Sequence, residues 1–475
     1  MTKNTDFRLH LLLAMLVIFF SRLPFLNNGY GAEEDSWGLV RTAKAISSTH
    51  IYEASRLPGH PVQEYVYSLI SGNGPFLFNL ITAILSSAGI FFFIFILKKF
   101  QVQNPVICGL TFAFTPAIFV NSVNDMDYLW ALSFILTSFY FLLSGKYFFA
   151  GIQLALATGC RITSVMMLPI FCFFIWRSER ENKINSSFRI LLSTILFAGL
   201  FYLPVFQTYG SGFLTASDYF PYPPMTKVLY KGSIGVFGTT GVLALGILTL
   251  AFFRRIRPLK AGEQFENQRL LIQFSIAVIA FYFAAYFLKP EKSAYLVPVI
   301  PFIILIATII LDRKQFRLFA VLMVASSFIA GVNLEDSLRG SNSSILSFEQ
   351  TISGQQVSFD LLQGPVMADY EKRKNKMQFT SKIVNGISQL RNKTVIIAGW
   401  WLNEIIVELP GEKNKLVDLV FYADENTLIQ YRRKQYAIYY LPEQEKWNDL
   451  RYRKIFTAKY ANAWPYRDSG KENFQ

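Results

Sequence analysis

The run "YFFAGIQLALATGCRITSVMMLPIFCFFIW", residues 147–176, is too long for one plain membrane-spanning helix and is interrupted at "TGCRIT" by Gly159 and Arg161. A helix needs roughly 20 apolar residues to cross a bilayer. The run is therefore one long helix or two short ones that meet at Arg161, and loop charge decides between them. With the N-terminus, which carries Lys3 and Arg8, on the cytoplasmic side, "LKKF" (Lys98, Lys99) and Lys146 also fall there. Two short crossings then place "RSERENK" at 177–183, "RRIRPLK" at 254–260 and "DRKQFR" at 312–317 on the same side. A single crossing would put every later basic loop outside. Because Lys and Arg collect in loops that stay in the cytoplasm, two crossings are favoured.

The rest of the chain fits that reading. Of its 475 residues, 52% are hydrophobic and only 16% charged, where a soluble protein carries about a quarter. Apolar runs lie near 9–26, 75–97, 104–120, 128–144, 147–176, 188–207, 236–253, 270–288, 293–311 and 316–333. With 147–176 counted twice they make about eleven segments, N-terminus inside and C-terminal part outside. Lys227 and Lys231 dissent, since they fall in an outer loop. No small-residue cleavage site follows "FFSRLPFL", so the first run reads as an uncleaved helix rather than a signal peptide. The net charge of +14 is explained by basic cytoplasmic loops and does not point to nucleic acid. Cys108, Cys160 and Cys172 lie in or beside apolar runs, which argues against a disulfide framework or a zinc site.

Charge density changes near Asn333: 41 of the residues up to it are charged, against 37 of the shorter stretch 334–475. The expected division is a transmembrane domain, 1–333, and a soluble extracytoplasmic domain, 334–475. In the second, "TVIIAGWW" (394–401), "LVDLVFYAD" (416–424) and "QYAIYYLP" (435–442) are strand-like, with a helical spacing at 426–434, so a small α/β domain is predicted. Asp424 reads as a helix cap. The fold class is thus an all-α polytopic membrane protein with a small C-terminal α/β domain.

On this topology the outer face gathers acids and bases from distant parts of the sequence. "GAEEDSW" (31–37) puts Glu33, Glu34 and Asp35 directly after the first span, and "SWGLVRTAKAISS" behind it has helical spacing suited to a membrane surface. "SRLPGHPVQEY" adds Arg56, His60 and Glu64 around a Pro–Gly turn, and "NDMDYLW" adds Asp125 and Asp127 at the start of a span. Arg161 comes up between its two short helices. "LKPEKSAYLVP" contributes Lys289, Glu291, Lys292 and Tyr295. Each has a plain reading: Glu34, Asp35, Asp125 or Asp127 as helix caps, Arg161 bonded to backbone carbonyls, "SRLPGHP" as a turn, the lysines as a loop end. Their convergence on one face is harder to dismiss, because charge near a membrane is expensive.

The arrangement resembles the GT-C superfamily of polytopic glycosyltransferases, among them bacterial protein O-mannosyltransferases and the transferases that add aminoarabinose to lipid A. "AEEDSWGLVRTAKAI" is similar to that family's acidic first outer loop with its surface helix, through Asp35, with Glu34 its competitor. "DMDYLW" resembles its second outer-loop aspartate, here Asp127. "LATGCRITSVMMLPI" resembles its Gly-containing segment of short helices, "YLVPVIPFIIL" its late Tyr-x-x-Pro segment, and "SRLPGHPVQEY" a Pro-Gly-x-Pro element. The likeness covers roughly residues 1–330. The acid pair common in the family is Glu-Glu-Asp here, and 334–475 matches nothing in it.

The resemblance implies an integral-membrane enzyme of the cell (inner) membrane. It would move a sugar from a polyprenyl-phosphate donor in the lipid bilayer to an acceptor hydroxyl on the extracytoplasmic face, with inversion. On that reading Asp35 (or Glu34) is the general base and Asp127 orients its partners or the sugar. Arg56, Arg161, Lys289 and Lys292 receive the departing phosphate, and His60, Glu64 and Tyr295 line the substrate. No cofactor is required; a divalent cation between Asp35 and Asp127 is an option the family leaves open, with no metal ligand set assigned. The rival class is a transporter or flippase of a lipid-linked sugar, against which stands the absence of an internal repeat. Reporter fusions test the topology: one at Lys260 should report the cytoplasm and one after Ser341 the outside, and a cytoplasmic signal at Ser341 would undo the eleven-segment count.

Overall fold

The computed structural model describes residues 2–178, 182–214, 222–255, 263–334, 346–352, 355–409 and 416–441; Lys260 and Ser341 lie outside them. The chain divides into two compact units, Met1–Gly31 with Thr42–Arg373, and Ala32–Arg41 with Lys374–Gln475. Charge density changes at Asn333, whereas this grouping changes forty residues later and also draws in the acidic segment after the first helix.

The first unit is helical. Its elements are α1 (Thr2–Phe20), the later part of α2 (Glu34–Thr49), α3 (Pro61–Ser68), α4 (Pro75–Lys99), α5 (Pro105–Ala113), α6 (Pro116–Asn121), α7 (Tyr128–Leu142) and α8 (Tyr147–Cys160). After these come α9 (Met167–Ser178), α10 (Lys183–Tyr209), α11 (Met225–Gly232), α12 (Ile234–Arg255), α13 (Glu263–Leu288), α14 (Ile300–Ile310) and α15 (Arg313–Ala325). The starts of α3, α4, α5 and α6 each carry a proline in the first turn, where its missing N–H costs nothing and its φ is already helical.

The run 147–176 does split at Arg161. Here α8 ends, Arg161 takes an extended backbone (φ −153°, ψ 112°), and a 3-10 turn over Ile162–Met166 leads into α9. Gly159 explains part of the sequence: a Cβ there would lie 2.5 Å from the Val62 side chain, so only glycine lets α3 sit this close to α8. Farther along, Phe139 of α7 stacks on Phe171 of α9 and Phe274 of α13, at 5.9 and 4.7 Å between centroids. Stacked or edge-on aromatic pairs add to the burial they already provide, and this Phe-rich sequence builds its core from them.

Among the described residues, six stretches are long and apolar enough to cross a membrane: Asp6–Phe25, Pro75–Lys99, Lys183–Leu214, Ile234–Arg254, Gln268–Leu288 and Ser293–Ile310. The other expected spans are shorter helices. The run near 104–120 is α5 and α6, broken before Pro116, and the run near 316–333 is α15, thirteen residues long. The expected count of about eleven is therefore not what helix length alone supplies.

After α15 come features the sequence did not announce. β1 (Gly331–Leu334), β2 (Ser347–Ile352) and β3 (Gln355–Asp360) form an antiparallel sheet in the order β1-β3-β2. α16 (Pro365–Gln389) follows, and its first turns belong to the first unit: Asn28 donates to the Tyr370 carbonyl at 2.6 Å, and buried Arg373 donates to the Val123 carbonyl at 2.9 Å.

The second unit carries a parallel sheet of β4 (Thr394–Ile397), β5 (Val417–Val420) and β6 (Ala437–Tyr440) in the order β5-β4-β6. α17 (Leu402–Glu408) follows β4, and α18 (Glu425–Arg433) joins β5 to β6. The expected strand-helix-strand unit is present, with β4 between its two strands. Asp424 caps α18, accepting from the Thr427 N–H at 2.8 Å. Ile396, Ile397 and Ala398 are fully buried, as befits a parallel strand covered on both faces.

Gly159→Ala should lower stability in detergent by about 1–3 kcal/mol, the usual range for overpacking a tight contact. Val62→Ala added to it should recover most of the loss in a thermal melt; no recovery would mean that the contact with α3 is not what makes glycine necessary.

Candidate functional site

Three segments of the first unit converge on Asp127. This residue directly precedes α7 and is wholly buried. Arg56, from the loop between α2 and α3, places Nη2 2.5 Å from its Oδ1; Arg161, at the break after α8, places Nη1 2.7 Å from its Oδ2. The two guanidinium side chains are 24% and 19% exposed while the aspartate is at 0%. The carboxylate is thus sealed off, and each arginine keeps a face toward the surface.

Aromatic rings hold Arg161 in its place. Tyr128 and Tyr295 lie on it with ring centroids 4.7 Å away, an attraction between cation and ring quadrupole that grows when water is excluded. Tyr295 is also within electrostatic reach of Lys292 and Arg56, so Arg56, Arg161, Lys292 and Tyr295 share one neighbourhood. Tyr282, whose buried hydroxyl meets no hydrogen-bond partner among the described residues, lines a small cleft with Tyr128, Arg161 and Ser164.

Burial by itself would raise the pKa of Asp127, but His60 when protonated, and Arg161 and Arg56 at every pH, outweigh it and hold the carboxyl well below the usual carboxylate range. Asp127 is a fixed anion, which suits a counter-ion and an orienting group and not a proton acceptor. Both its oxygens already face guanidinium nitrogens, so a divalent ion at Asp127 would have to displace them. Among the described residues, no group of three or more His, Cys, Asp and Glu is placed to hold a metal.

His60 is 4% exposed. Its Nδ1 lies 2.6 Å from the Cys160 carbonyl and 3.7 Å from Asp127 Oδ2. Burial, then the charge of Arg56, depresses its pKa, against the opposing pull of Asp127 and Glu64. Near neutral pH this favours the uncharged ring, with the proton on Nδ1 donated to Cys160, and among the described residues no partner meets the buried Nε2.

Glu64, expected to line the substrate, is engaged within its own loop. It accepts from Tyr52 Oη at 2.5 Å, from the Ser55 N–H and Oγ at 2.8 and 2.7 Å, and from the His60 N–H at 3.0 Å. Its oxygens are committed to the loop that carries Arg56. Gly59, at φ +90° and with Tyr52 Oη 2.7 Å from where a Cβ would stand, is needed at the turn of this loop. Tyr202 of α10 donates to the Gly59 carbonyl at 3.3 Å, and the Ala54 N–H donates to Tyr209.

Lys289 pairs with Glu291 at 3.5 Å, and Tyr295 donates to the other Glu291 oxygen at 3.4 Å. Lys231, which dissented from the charge rule, donates to the Glu291 main-chain carbonyl. These residues tie down the turn before the 3-10 segment that carries Tyr295.

Glu34 and Asp35 belong to the second unit, in the first turn of α2 and half-buried, with Glu33 exposed before them. Asn403 of α17 donates to Glu34 Oε1 at 2.6 Å and accepts from Arg41 Nη1 at 3.1 Å. Sequence reading passed over Asn403, as it passed over Tyr128 and Tyr282. Tyr128 stood beside Asp127 in a quoted segment, but nothing distinguishes Tyr282 from the other aromatics of its span.

Stability should fall on acidification through His60. A histidine kept neutral by the fold contributes stability that is fully present above its unfolded pKa, near 6.5, and is lost as pH drops below it, because the unfolded chain binds the proton more readily. The melting temperature should drop as pH falls below about 6.5, and His60→Gln should flatten that slope. Asp127 adds nothing in this window, since its contribution declines only below its unfolded pKa of roughly 3.9. Asp127→Asn should cost about 3–5 kcal/mol at neutral pH by stranding two cations; a melt unchanged from wild type would contradict the buried pairing.

No family model matches the chain, and no curated protein does. Two solved structures of the Archaeoglobus fulgidus oligosaccharyltransferase are similar to it: one in complex with zinc and sulfate (TM-score 0.48, 12% identity) and one tethered by a disulfide bond to an acceptor peptide containing the NVT sequon (TM-score 0.49, 10% identity). The matches cover 84% of this chain in each case, and 61% and 63% of those proteins, so the chain spans about three-fifths of their length. At such scores and identities neither likeness assigns an activity to this chain.

Proposed function

We propose that this protein is an integral-membrane glycosyltransferase that moves a sugar from a polyprenyl-phosphate donor to an acceptor hydroxyl on the extracytoplasmic face. The observation that carries the reading is the pair of arginines on Asp127, each braced on a buried carboxylate and each still partly exposed. An arginine whose inner edge is fixed by a counter-ion offers its outer edge in one orientation, and that fork matches two oxygens of a phosphate. Lys292, near the same tyrosine, adds a third cation.

In the proposed reaction the acceptor oxygen attacks the anomeric carbon as the bond to the lipid phosphate oxygen breaks, which inverts the centre. The leaving phosphate gains charge, and Arg56, Arg161 and Lys292 stabilise it as that charge develops. The acceptor proton passes to Asp35, a half-buried acid in the first turn of α2, where the helix dipole favours the ionised form. His60 and Tyr295 border the phosphate end. Asp127 keeps both arginines aimed and takes no proton.

Donor turnover by purified protein in lipid tests this. Arg56→Lys and Arg161→Lys keep the charge but lose the fork, and each should reduce turnover by the equivalent of about 1.5–3 kcal/mol. Asp35→Asn should lower it on the order of 100- to 10,000-fold with donor binding retained, whereas Glu34→Gln should be mild. Full activity in both lysine variants would remove the phosphate assignment. Inactive Glu34→Gln with normal Asp35→Asn would move the base by one residue. A purified protein that translocates the donor and never cleaves it would be a transporter.

A further inference from the structure

The acidic segment Ala32–Arg41 packs as part of the second unit, and the contacts it makes there are specific. Glu34 and Arg41 are seven residues apart on α2 and therefore share one face. The Asn403 amide lies between them, its NH2 group donating to Glu34 and its oxygen accepting from Arg41. Three residues before Asp35, Lys376 of α16 donates to the Ala32 carbonyl at 3.1 Å. The same ammonium pairs with Glu404, the neighbour of Asn403 on α17, and lies 5.4 Å from the centre of the Trp401 ring. Trp401 in turn packs on Phe379 of α16, with centroids 4.5 Å apart.

The backbone at Ala32 and the side chain at Glu34, both just before Asp35, are thus tied by Lys376 and Asn403, and Arg41, six residues after it, is tied to the same Asn403. Glu404 is completely buried, and its pKa is raised first by that burial, opposed by Lys376, and raised again by the charge of Asp35. The charged groups around Asp35 are Glu33 just before its helix, Glu34 and Arg41 on α2, Lys376 on α16, and Glu404 on α17.

We infer that the C-terminal unit is a positioning frame for the acid segment of the first outer loop, with Asn403 and Lys376 as its positioning residues. Where the catalytic importance of the frame is concerned, this rests on Asp35 being the base. The physical case for it is that a base must be held to within a fraction of an ångström of the proton it takes. A carboxylate in the first turn of a helix, where the backbone is held on one side only, has less of that constraint by itself. Two ties from one folded unit, one to the main chain and one to a side chain, supply it, and they account for a charged domain at the far end of the sequence in a membrane enzyme.

The experiment uses full-length protein in nanodiscs and two independent readouts. In hydrogen–deuterium exchange, Asn403→Ala and Lys376→Met should each speed exchange of the amides over 31–37 by at least about tenfold, the loss of one charge-assisted contact, with the helices of the first unit unchanged. In donor turnover, both should reduce kcat by roughly 10- to 100-fold with KM for the donor little altered, the cost of a misplaced group. Asn403→Asp sets a second carboxylate against Glu34; it should move the acidic limb of the kcat–pH profile upward by about 0.5–1 unit through like-charge repulsion, a change that mere loosening of the fold does not produce. Lys376→Arg should restore the wild-type exchange pattern that Lys376→Met loses. Unchanged exchange over 31–37 in Asn403→Ala and Lys376→Met would overturn the frame. Faster exchange with wild-type kcat and pH profile would overturn its catalytic role. Loss of the base reading shows separately, as full turnover by Asp35→Asn, and the exchange result still decides whether the frame exists.

Discussion

A carboxylate with no solvent exposure, between two guanidinium groups, is the constraint on which the first unit depends. Taking a carboxylate wholly out of water, and two guanidinium groups most of the way, is costly, and only close pairing repays it. Asp127, Arg56 and Arg161 come from the start of α7, the loop before α3 and the break after α8. None of the three can be buried unless the other two arrive. The extended backbone at Arg161, which at first sight only interrupts a hydrophobic run, is what turns a side chain at the middle of that run toward the start of α7.

The loop that brings Arg56 is built with comparable strictness. Glu64 receives four hydrogen bonds from residues 52–60, and α8 and α10 contribute Cys160, Tyr202 and Tyr209 as further partners. Near a membrane, irregular backbone is tolerated where protein or a water-filled cavity satisfies its polar groups, and here protein does so. This separates two carboxylates that look alike in sequence. Glu64 shapes the loop, and Asp127 fixes the charges that the loop carries. Asp127 and Asp35 differ in the same manner: one is sealed and held as an anion by its arginines, the other half-buried in a helix first turn where a dipole favours charge.

Composition divides the chain at one place and packing at another. Charge density follows solvent exposure, so it rises once the last apolar run has ended, near Asn333. Packing follows contacts, and these keep β1–β3 and the first turns of α16 with the helices while assigning Ala32–Arg41 to the C-terminal unit. A ten-residue segment can belong to a unit more than three hundred residues away because its partners there, Asn403 and Lys376, are single side chains. Polar contacts of that kind leave no periodicity in a sequence.

The amino-acid sequence by itself determined that the chain is a bundle of apolar helices with a small α/β unit at its end. It also determined that the run at 147–176 breaks at Arg161 and that Asp424 caps α18. These are local consequences of hydrophobic period, of a glycine and an arginine in an apolar run, and of residues whose backbone preferences admit few alternatives. Arg56, Arg161, Asp127 and His60 were legible as candidates because charged groups near a membrane are costly and few. What they do to one another was not. That Asp127 is a counter-ion, that Glu64 holds a loop, that Tyr128 and Tyr295 clasp Arg161, and that Glu34 leans on Asn403 were decided by the tertiary structure alone. Pairing of side chains far apart in sequence depends on distances of a few ångströms, and neither composition nor spacing along the chain encodes those distances.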